Sequence, residues 1–392
     1  ICVAAPALAD CPAVSSGGSV TCTVTEDTTH IEVIDNSTWS QATYTINNSA
    51  DLTPNSDLSY QNFGIILDVY GDAGETDDSN TSEAGGIAGG VLSITNSGTI
   101  MMTGTTSQSA SQGQVAGIRA FAYGGNGVEP DDNGEDGGRG GDGGPITINN
   151  SGTIDIETSA TVDLSVPAYG INVQSNSGNG GKQNSGAGDQ KGGNAGDAKA
   201  VNITNTAMIT LGSQGDGIRA TTDGRAMRIV SQGGTGGQDN GEGGAGGDIT
   251  ITNSGNLNAY FNNISTGEYG YHGIFAATRG GDGTASFDNS DNGGRGEEGR
   301  TITLTNTADI NLQVYGNDAT GESAGIFAQS KGGNGGASAD KSTGGSGGGA
   351  STDTNDNAAV MTVNQQGGTI DVSGHGVRGI VTRSEGGNGG NG

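Results

Sequence analysis

The chain has 392 residues, 79 of them Gly, with hydrophobic residues at 30% and aromatics at 4%. Glycine runs about three times above its usual share, and so little apolar side chain excludes the thick core of ordinary compact domains, leaving disorder or an elongated fold built on small residues and backbone hydrogen bonds. The formal net charge of −28 repels phosphate backbones and anionic headgroups, which argues against nucleic-acid binding and leaves a solvated acidic surface able to hold divalent cations weakly.

Residues 1–9 end in Ala7-Leu8-Ala9 before Asp10, an apolar stretch followed by small residues three and one before a cut. This pattern predicts the remnant of a secretory signal peptide, cleaved after Ala9. Asp10 stands where a lipoprotein would need a small residue, so lipidation of Cys11 is not expected. No later run of about 18 or more apolar residues is present, so no helix is expected to span a membrane. Of the 3 cysteines, Cys2 leaves with the signal peptide, and Cys11 and Cys22 remain. In an oxidising compartment the two are expected to bridge a short N-terminal cap, residues 10–43, adding roughly 2–3 kcal/mol. The alternative is two free thiols; a metal site is less expected without a neighbouring histidine.

From residue 44 to residue 392 the chain repeats itself. Leu92-Ser93-Ile94-Thr95-Asn96-Ser97-Gly98-Thr99-Ile100 returns as Ile146–Ile154, Val201–Ile209, Ile249–Leu257 and Ile302–Ile310, with degenerate copies from Tyr44 and Met361. These make about seven copies roughly 50 residues apart, a spacing typical of solenoids and arrays. In Ile249-Thr250-Ile251-Thr252 alternate residues face opposite sides of a strand, and Asn-Ser-Gly or Asn-Thr-Ala then turns the chain. A second short strand follows, such as Thr153-Ile154-Asp155-Ile156. A third is opened by Gly-Ile at Gly64, Gly117, Gly170, Gly217, Gly273 and Gly325. Three strands per repeat predict one coil of a three-sided solenoid, and apolar residues held in phase through every copy exclude disorder for this skeleton.

Asn48, Asn96, Asn150, Asn205, Asn253 and Asn306 occupy one place in the repeat, two residues after the last inward apolar side chain. Stacked coils would set these amides about 4.8 Å apart, each donating to the next, with Gln365 able to join. Asn is also a favoured turn residue, and both roles can hold.

Between each Gly-Ile strand and the next repeat lies a segment with two glycine clusters, as in Gly233-Gly234-Thr235-Gly236-Gly237 and Gly243-Gly244-Ala245-Gly246-Gly247. A floppy loop is one reading, since glycine loses the most entropy on ordering. The other is an extended or polyproline-II-like arm that runs out and returns, because Gly at two of three positions lets backbones pack closely.

Chemistry is sparse. Gly137-Gly138-Arg139-Gly140-Gly141-Asp142 matches the first six positions of a calcium-binding nonapeptide, but Gly144 replaces its apolar residue and tandem copies are absent. Asp131, Asp132, Glu135, Asp136 and Asp142 are therefore at most weak calcium candidates, and no other cofactor is expected. His30, His272 and His375 lie far apart with no zinc spacing. Ser346 sits in a Gly-x-Ser-x-Gly match that lacks the strand and helix of a nucleophile elbow. Asp155, Asp163 and Asp309 could serve a polysaccharide-cleaving β-helix only if folding gathered them. Outward threonines at Thr147, Thr250, Thr252, Thr303 and Thr305 would form rows able to meet ice or glycan hydroxyls, although Thr is also a routine outward strand residue.

A signal peptide, a short cap and Ile-Thr-Ile-Thr-Asn-Ser-Gly repeats resemble the passenger region of bacterial autotransporters and related large β-helical surface adhesins. The resemblance spans nearly all of residues 10–392 and rests on repeat style; the glycine inserts also resemble mycobacterial glycine-rich surface proteins. It implies an all-β, right-handed parallel β-helix of about seven coils, exported through the outer membrane of a Gram-negative bacterium and displayed or secreted. The expected function is a non-enzymatic structural or adhesive rod whose partners are a host, surface or glycan ligand, or copies of itself. A protomer of an extracellular filament or surface layer is the alternative, and a polysaccharide-degrading enzyme the minor one. The resemblance implies an outer-membrane barrel that residues 10–392 are not expected to form, and the repeat breaks off at Gly392, so a C-terminal truncation is expected.

Overall fold

A computed structural model describes residues 11, 18–35, 42–54, 62–74, 86–104, 114–129, 136–158, 163–164, 167–183, 191–215, 217–220, 223–263, 270–286, 293–316, 322–338, 344–347 and 360–391. The expected signal-peptide remnant lies outside the described residues.

Among the described residues there is no helix. Three parallel sheets account for nearly all of the regular structure. The first is 8-stranded and runs from Ser19–Val24 through Thr43–Asn48, Val91–Asn96, Ile146–Asn150, Val201–Asn205, Ile249–Asn253 and Ile302–Asn306 to Met361–Gln365. The second is 6-stranded, from Ile100–Gly104 to Ile370–Ser373. The third is 8-stranded, from Ile31–Asp35 to Val377–Glu385. Each full repeat gives one strand to each sheet in turn, so every strand pairs with its counterpart in the next repeat. The connectivity is compatible with a parallel solenoid.

Residues expected to form a cap join this stack. Ser19–Val24 pairs with Thr43–Asn48, and Cys22 stands beside Ile46 in the inward row that Ile94, Ile148 and Ile203 continue. Cys11 and Cys22 are bridged, with Cα atoms 5.1 Å apart. One continuous apolar core, from Val20 to Ala328, fills the space between the sheets. Each large aliphatic side chain removed from water there contributes about 1.5–3 kcal/mol.

The glycine of each Gly-Ile pair has a packing reason. A Cβ on Gly117 would overlap the Cγ2 of Ile154, which reaches across from the second sheet. Gly217-Ile218 departs from the expected pattern. Ile218 bridges to Phe261 in line with the second sheet, after a bulge whose Gly212, Gly215 and Gly217 all have positive φ. The third-sheet strand of that repeat is Gly224–Gln232, with Met227 in register between Ile171 and Ile274. The bulge displaced the sequence signal by several residues.

The asparagine row forms as a ladder. Nδ2 of Asn48 donates to Oδ1 of Asn96 at 2.8 Å, Asn96 to Asn150 at 2.8 Å and Asn150 to Asn205 at 2.7 Å. Asn205 then donates to Asn253 at 2.8 Å, Asn253 to Asn306 at 2.6 Å, and Asn306 to Oε1 of Gln365 at 2.8 Å. The amides also hold the turn, as Asn253 does by donating to the Gly255 carbonyl at 2.9 Å. Ladder and turn are one device, and its six asparagines are at most 2% exposed.

The glycine-rich segments are hydrogen-bonded layers. From Asn62–Tyr70 onward each third-sheet strand continues directly into an outgoing arm, and returning arms lead into the first-sheet strands from Val91–Asn96 to Ile302–Asn306. Neighbouring outgoing arms bond every third residue: Gly124 N–H to Asn176 at 2.8 Å, and Gly127 N–H to Asn179 at 2.8 Å. Returning arms do the same through Gly137, Gly140 and Gly143, which donate to Lys191, Asn194 and Asp197. A second set crosses between the layers, from Gly141 to Gly125, Gly178 to Gly141, Gly196 to Gly178 and Gly281 to Gly244. The period of three is that of polyproline II. It leaves one residue in three facing out, as with Lys191 and Asn194, whose intervening glycines are buried. A Cβ on Gly281 would overlap the carbonyl of Gly234 on the neighbouring outgoing arm, so only glycine permits this spacing of arms within a layer. The arm 233–248 is described throughout, and its tip turns on Asp239 and Asn240 at φ 73 and φ 63, where Asp and Asn are tolerated.

Candidate ligand-binding face

The nine-residue strands of the third sheet have two chemically different faces. Along Val115–Tyr123, Ile118, Ala120 and Ala122 enter the core, while Arg119, Phe121 and Tyr123 point to the other side. Parallel pairing carries these outward positions from layer to layer. Arg119 stands beside Asn172, Asn172 beside Arg228, Arg228 beside Phe275 and Phe275 beside Phe327. The face thus concentrates arginines, aromatic rings and amides in a chain with only 15 basic residues and 4% aromatics.

Two clusters occupy it. At the first, Asp68 and Arg119 form an ion pair at 2.7 Å, and the Arg119 guanidinium lies 4.2 Å from the centre of the Phe121 ring. Burial pushes the Asp68 carboxyl up to about 6, against the pull of Arg119. Beside it Tyr70 and Tyr123 stack at 4.8 Å, and burial raises the Tyr123 hydroxyl to about 12.

The second cluster spans Ala168–Asn176, Gly224–Gln232, Tyr271–Arg279 and Ser323–Lys331. Phe275 and Phe327 stack at 5.3 Å, with His272 against both. Arg225 lies 4.0 Å over the Phe275 ring and pairs with Asp223 at 2.9 Å, and Asp223 also accepts the Tyr169 hydroxyl at 2.9 Å. Arg228 donates to Oδ1 of Asn172 at 3.0 Å. Burial first, and then the nearby Arg225 charge, holds the His272 imidazole well below its usual range, so it is neutral. Burial and then Arg228 lower the Arg279 guanidinium against the pull of Glu385. Burial lowers Arg225 against the pull of Asp223 and Tyr169, with Arg228 and Arg279 adding smaller effects. Three arginines therefore repel one another here. Among the described residues, buried polar atoms without a partner include Nε of Arg225, Nε of Arg279, Nδ1 of His272 and Oδ1 of Asn176. All four belong to this face.

The sites expected from sequence fall elsewhere. The asparagines and the cysteine pair are structural. Asp131, Asp132 and Glu135 lie outside the described residues. Asp136 accepts the Lys191 N–H at 2.7 Å. Asp142 is held by Lys199 at 2.7 Å and by Arg139 at 2.9 Å, so its carboxylate already carries two cations. Burial would raise the Asp142 carboxyl, but Lys199, the Asp197 N–H and Arg139 hold it below its ordinary range. Among the described residues, no group of three or more His, Cys, Asp or Glu side chains gathers as a metal site. His272 belongs to the third sheet, while His375 follows the strand Ile370–Ser373 in the last repeat. Ser346 is part of an arm, its carbonyl accepting the Gly296 N–H at 3.0 Å. Asp155 lies beside Thr210 on the second sheet, and Asp309 accepts the Thr369 N–H at 2.7 Å. The threonines do align, with Thr147, Asn202, Thr250 and Thr303 in one row of the first sheet and Thr204, Thr252 and Thr305 in the next.

The third-sheet face escaped the sequence reading because its residues differ in every copy. A search restricted to the second and fourth residues after each Gly-Ile glycine would have found Arg119 and Phe121, Asn172 and Gln174, Phe275 and Ala277, and Phe327 and Gln329. No helix among the described residues is long and apolar enough to cross a membrane. No family model, curated protein or solved structure matches the chain.

Proposed function

We propose that this chain is the passenger region of an exported bacterial surface adhesin, non-enzymatic, folded as a right-handed parallel β-helix of about seven coils with polyproline-II-like arms. The observation that carries this reading is the register of the stack. Each repeat delivers one side chain to every outward row, so a short sequence unit builds a long, stiff and laterally repetitive surface. Such a surface binds by geometry, since neighbouring contacts are spaced by the strand separation of about 4.8 Å and engage together. The bridged Cys11 and Cys22 fit an oxidising destination outside the cytoplasm. The partners this implies are a host, abiotic or glycan surface, or further copies of the same chain.

The test is attachment. Beads coated with the purified chain should adhere to epithelial cells or to polysaccharide films more strongly than beads coated with a heat-unfolded sample. Equal attachment by both, or release of reducing or unsaturated sugar ends from the film, overturns the adhesive reading.

A further inference from the structure

The arginines of the third sheet are an anomaly in a chain with 43 acidic and 15 basic residues. Ordinary statistics would give each one a carboxylate. Arg225 has Asp223, and Arg119 has Asp68. Arg383 has Glu322 and Glu385. Arg228 and Arg279 form no ion pair among the described residues, although they lie close enough to disturb each other and both are half-buried. Arg279 also keeps a buried Nε–H with no acceptor. An unpartnered buried donor costs about 1–3 kcal/mol, more when charged. Arg228 donates to amides alone, Asn172 at 3.0 Å and Gln174 at 3.5 Å. Glu385, whose charge reaches Arg279, is already paired with Arg383. Neither guanidinium thus has a carboxylate of its own, and the two leave room for an anion.

The surroundings narrow the kind of anion. Gln232 lies directly beside Arg279 across the sheet and is exposed, while Gln174 and Asn176 border it from the preceding layer. The rings of Tyr169, Phe275 and Phe327 on the same face are buried, so the groups left to meet a ligand are the arginines and amides. Arginine forks match carboxylate geometry, and amides match hydroxyls in both donor and acceptor roles. A long polyanion is opposed by the −28 charge of the whole chain. We infer that Arg228 and Arg279 bind the carboxylate of an acidic sugar, with Gln174, Asn176 and Gln232 taking its hydroxyls. This rests on the adhesive reading and names the ligand class of its binding face.

The experiment uses the full chain and titration calorimetry with a short uronic-acid oligosaccharide and a neutral oligosaccharide of equal length and linkage. The uronate should bind and the neutral sugar should not, with affinity falling as salt is raised. Replacing both arginines, Arg228→Gln with Arg279→Gln, should weaken the uronate by roughly ten- to a hundredfold, the loss of charged hydrogen bonds. A second variant guards against misfolding. Gln232→Glu places a carboxylate of the same shape beside Arg279, should leave the thermal midpoint unchanged or higher, and should block the uronate from within. Arg139→Gln, on a returning arm, should bind as the unaltered chain does. Uronate binding that survives Gln232→Glu, equal binding of the neutral sugar, or inorganic sulfate binding as tightly as the uronate each overturns the inference. Adhesion that persists while the uronate neither binds nor competes sinks the sugar site and spares the adhesive reading. Uronate binding without any adhesion does the reverse.

Discussion

The three-sheet half and the glycine half of this molecule stack with the same period and solve the same problem with opposite materials. In the first, rows such as Ile94, Ile148, Ile203 and Ile251 fill the space between sheets with aliphatic side chains. In the second, Gly141, Gly178 and Gly196 bring two layers to backbone contact and leave no room for any side chain. The sheets are stabilised mainly by burial. The layers have only hydrogen bonds, each worth a net 0.5–1.5 kcal/mol or so, against the large entropy loss of ordering glycine. What tips the balance is attachment: an arm such as 233–248 is fixed at both ends by strands that are already in register. Close glycine packing can thus extend a scaffold that it could not build.

This contrast can be broken in several ways, and the largest effect is expected in the core. Ile251→Ala should cost about 3–4 kcal/mol of stability, because it removes a fully buried side chain and leaves a cavity between sheets that cannot collapse. Denaturant midpoints measure it. A loss below about 1 kcal/mol would mean that the sheets, like the arms, are held chiefly by backbone.

The next effect tests whether buried charge belongs to the same half. Asp68 is raised in the folded chain from 3.8 to about 6, with Arg119 beside it. A carboxyl raised on folding binds protons more tightly in the native state. Its contribution is therefore full below pH 4 and is lost as pH rises toward 6, by on the order of 3 kcal/mol. Comparing the unaltered chain with Asp68→Asn at pH 4 and pH 7 should show the unaltered chain losing ground as pH rises. The opposite trend would mean that Arg119 makes the ionised carboxylate a net stabiliser.

A smaller effect, about 2–3 kcal/mol, is expected from Asn205→Ala. The substitution strips Asn150 of its acceptor and Asn253 of its donor, and frees the Ala207 carbonyl. Amide exchange should quicken in the turns on both sides of the gap. If only the turn of its own repeat responds, the ladder adds nothing to ordinary turn chemistry.

These tests fall on features of very different visibility in the sequence. The asparagine ladder was legible because one polar residue kept one phase among aliphatic ones, and Gln365 took the last place. Gly-Ile was legible for a reason the sequence hid, since Gly117 is small for the sake of Ile154, in the following repeat. It failed at Gly217-Ile218, where a local bulge moved the third strand and Ala226-Met227 replaced the motif. The arms showed as glycine clusters, but the choice of the third residue depends on the neighbouring arm. Asn126 accepts the N–H of Asn179 at 2.9 Å, and Asn179 that of Thr235 at 2.8 Å. The arginine–aromatic face was invisible to a search for likeness because its rows carry unlike residues, as with Arg119, Asn172, Arg228 and Phe275.

The smallest expected effect on overall stability is also the sharpest test of the contrast. Gly244→Ala adds a single methyl to the returning arm of the repeat that begins at Val201. Its Cβ would overlap the Gly196 carbonyl, which belongs to the preceding repeat's returning arm. In a helix or an exposed loop the same change is neutral or helpful, because alanine has less freedom to lose in the unfolded chain. Here the methyl must push two neighbouring arms of one layer apart, at an overpacking cost of about 1–2 kcal/mol. The strain falls where Gly244 donates to Gly234 at 2.9 Å and accepts from Gly281 at 2.8 Å. Hydrogen exchange should therefore quicken at Gly244 and Gly281, while amides of Ile249–Asn253 and Gly224–Gln232 keep their protection. Loss of protection in those strands would mean that the layers support the sheets rather than hang from them. No change anywhere would mean that the arms already open freely in solution, and that glycine abundance reflects loops and not packing.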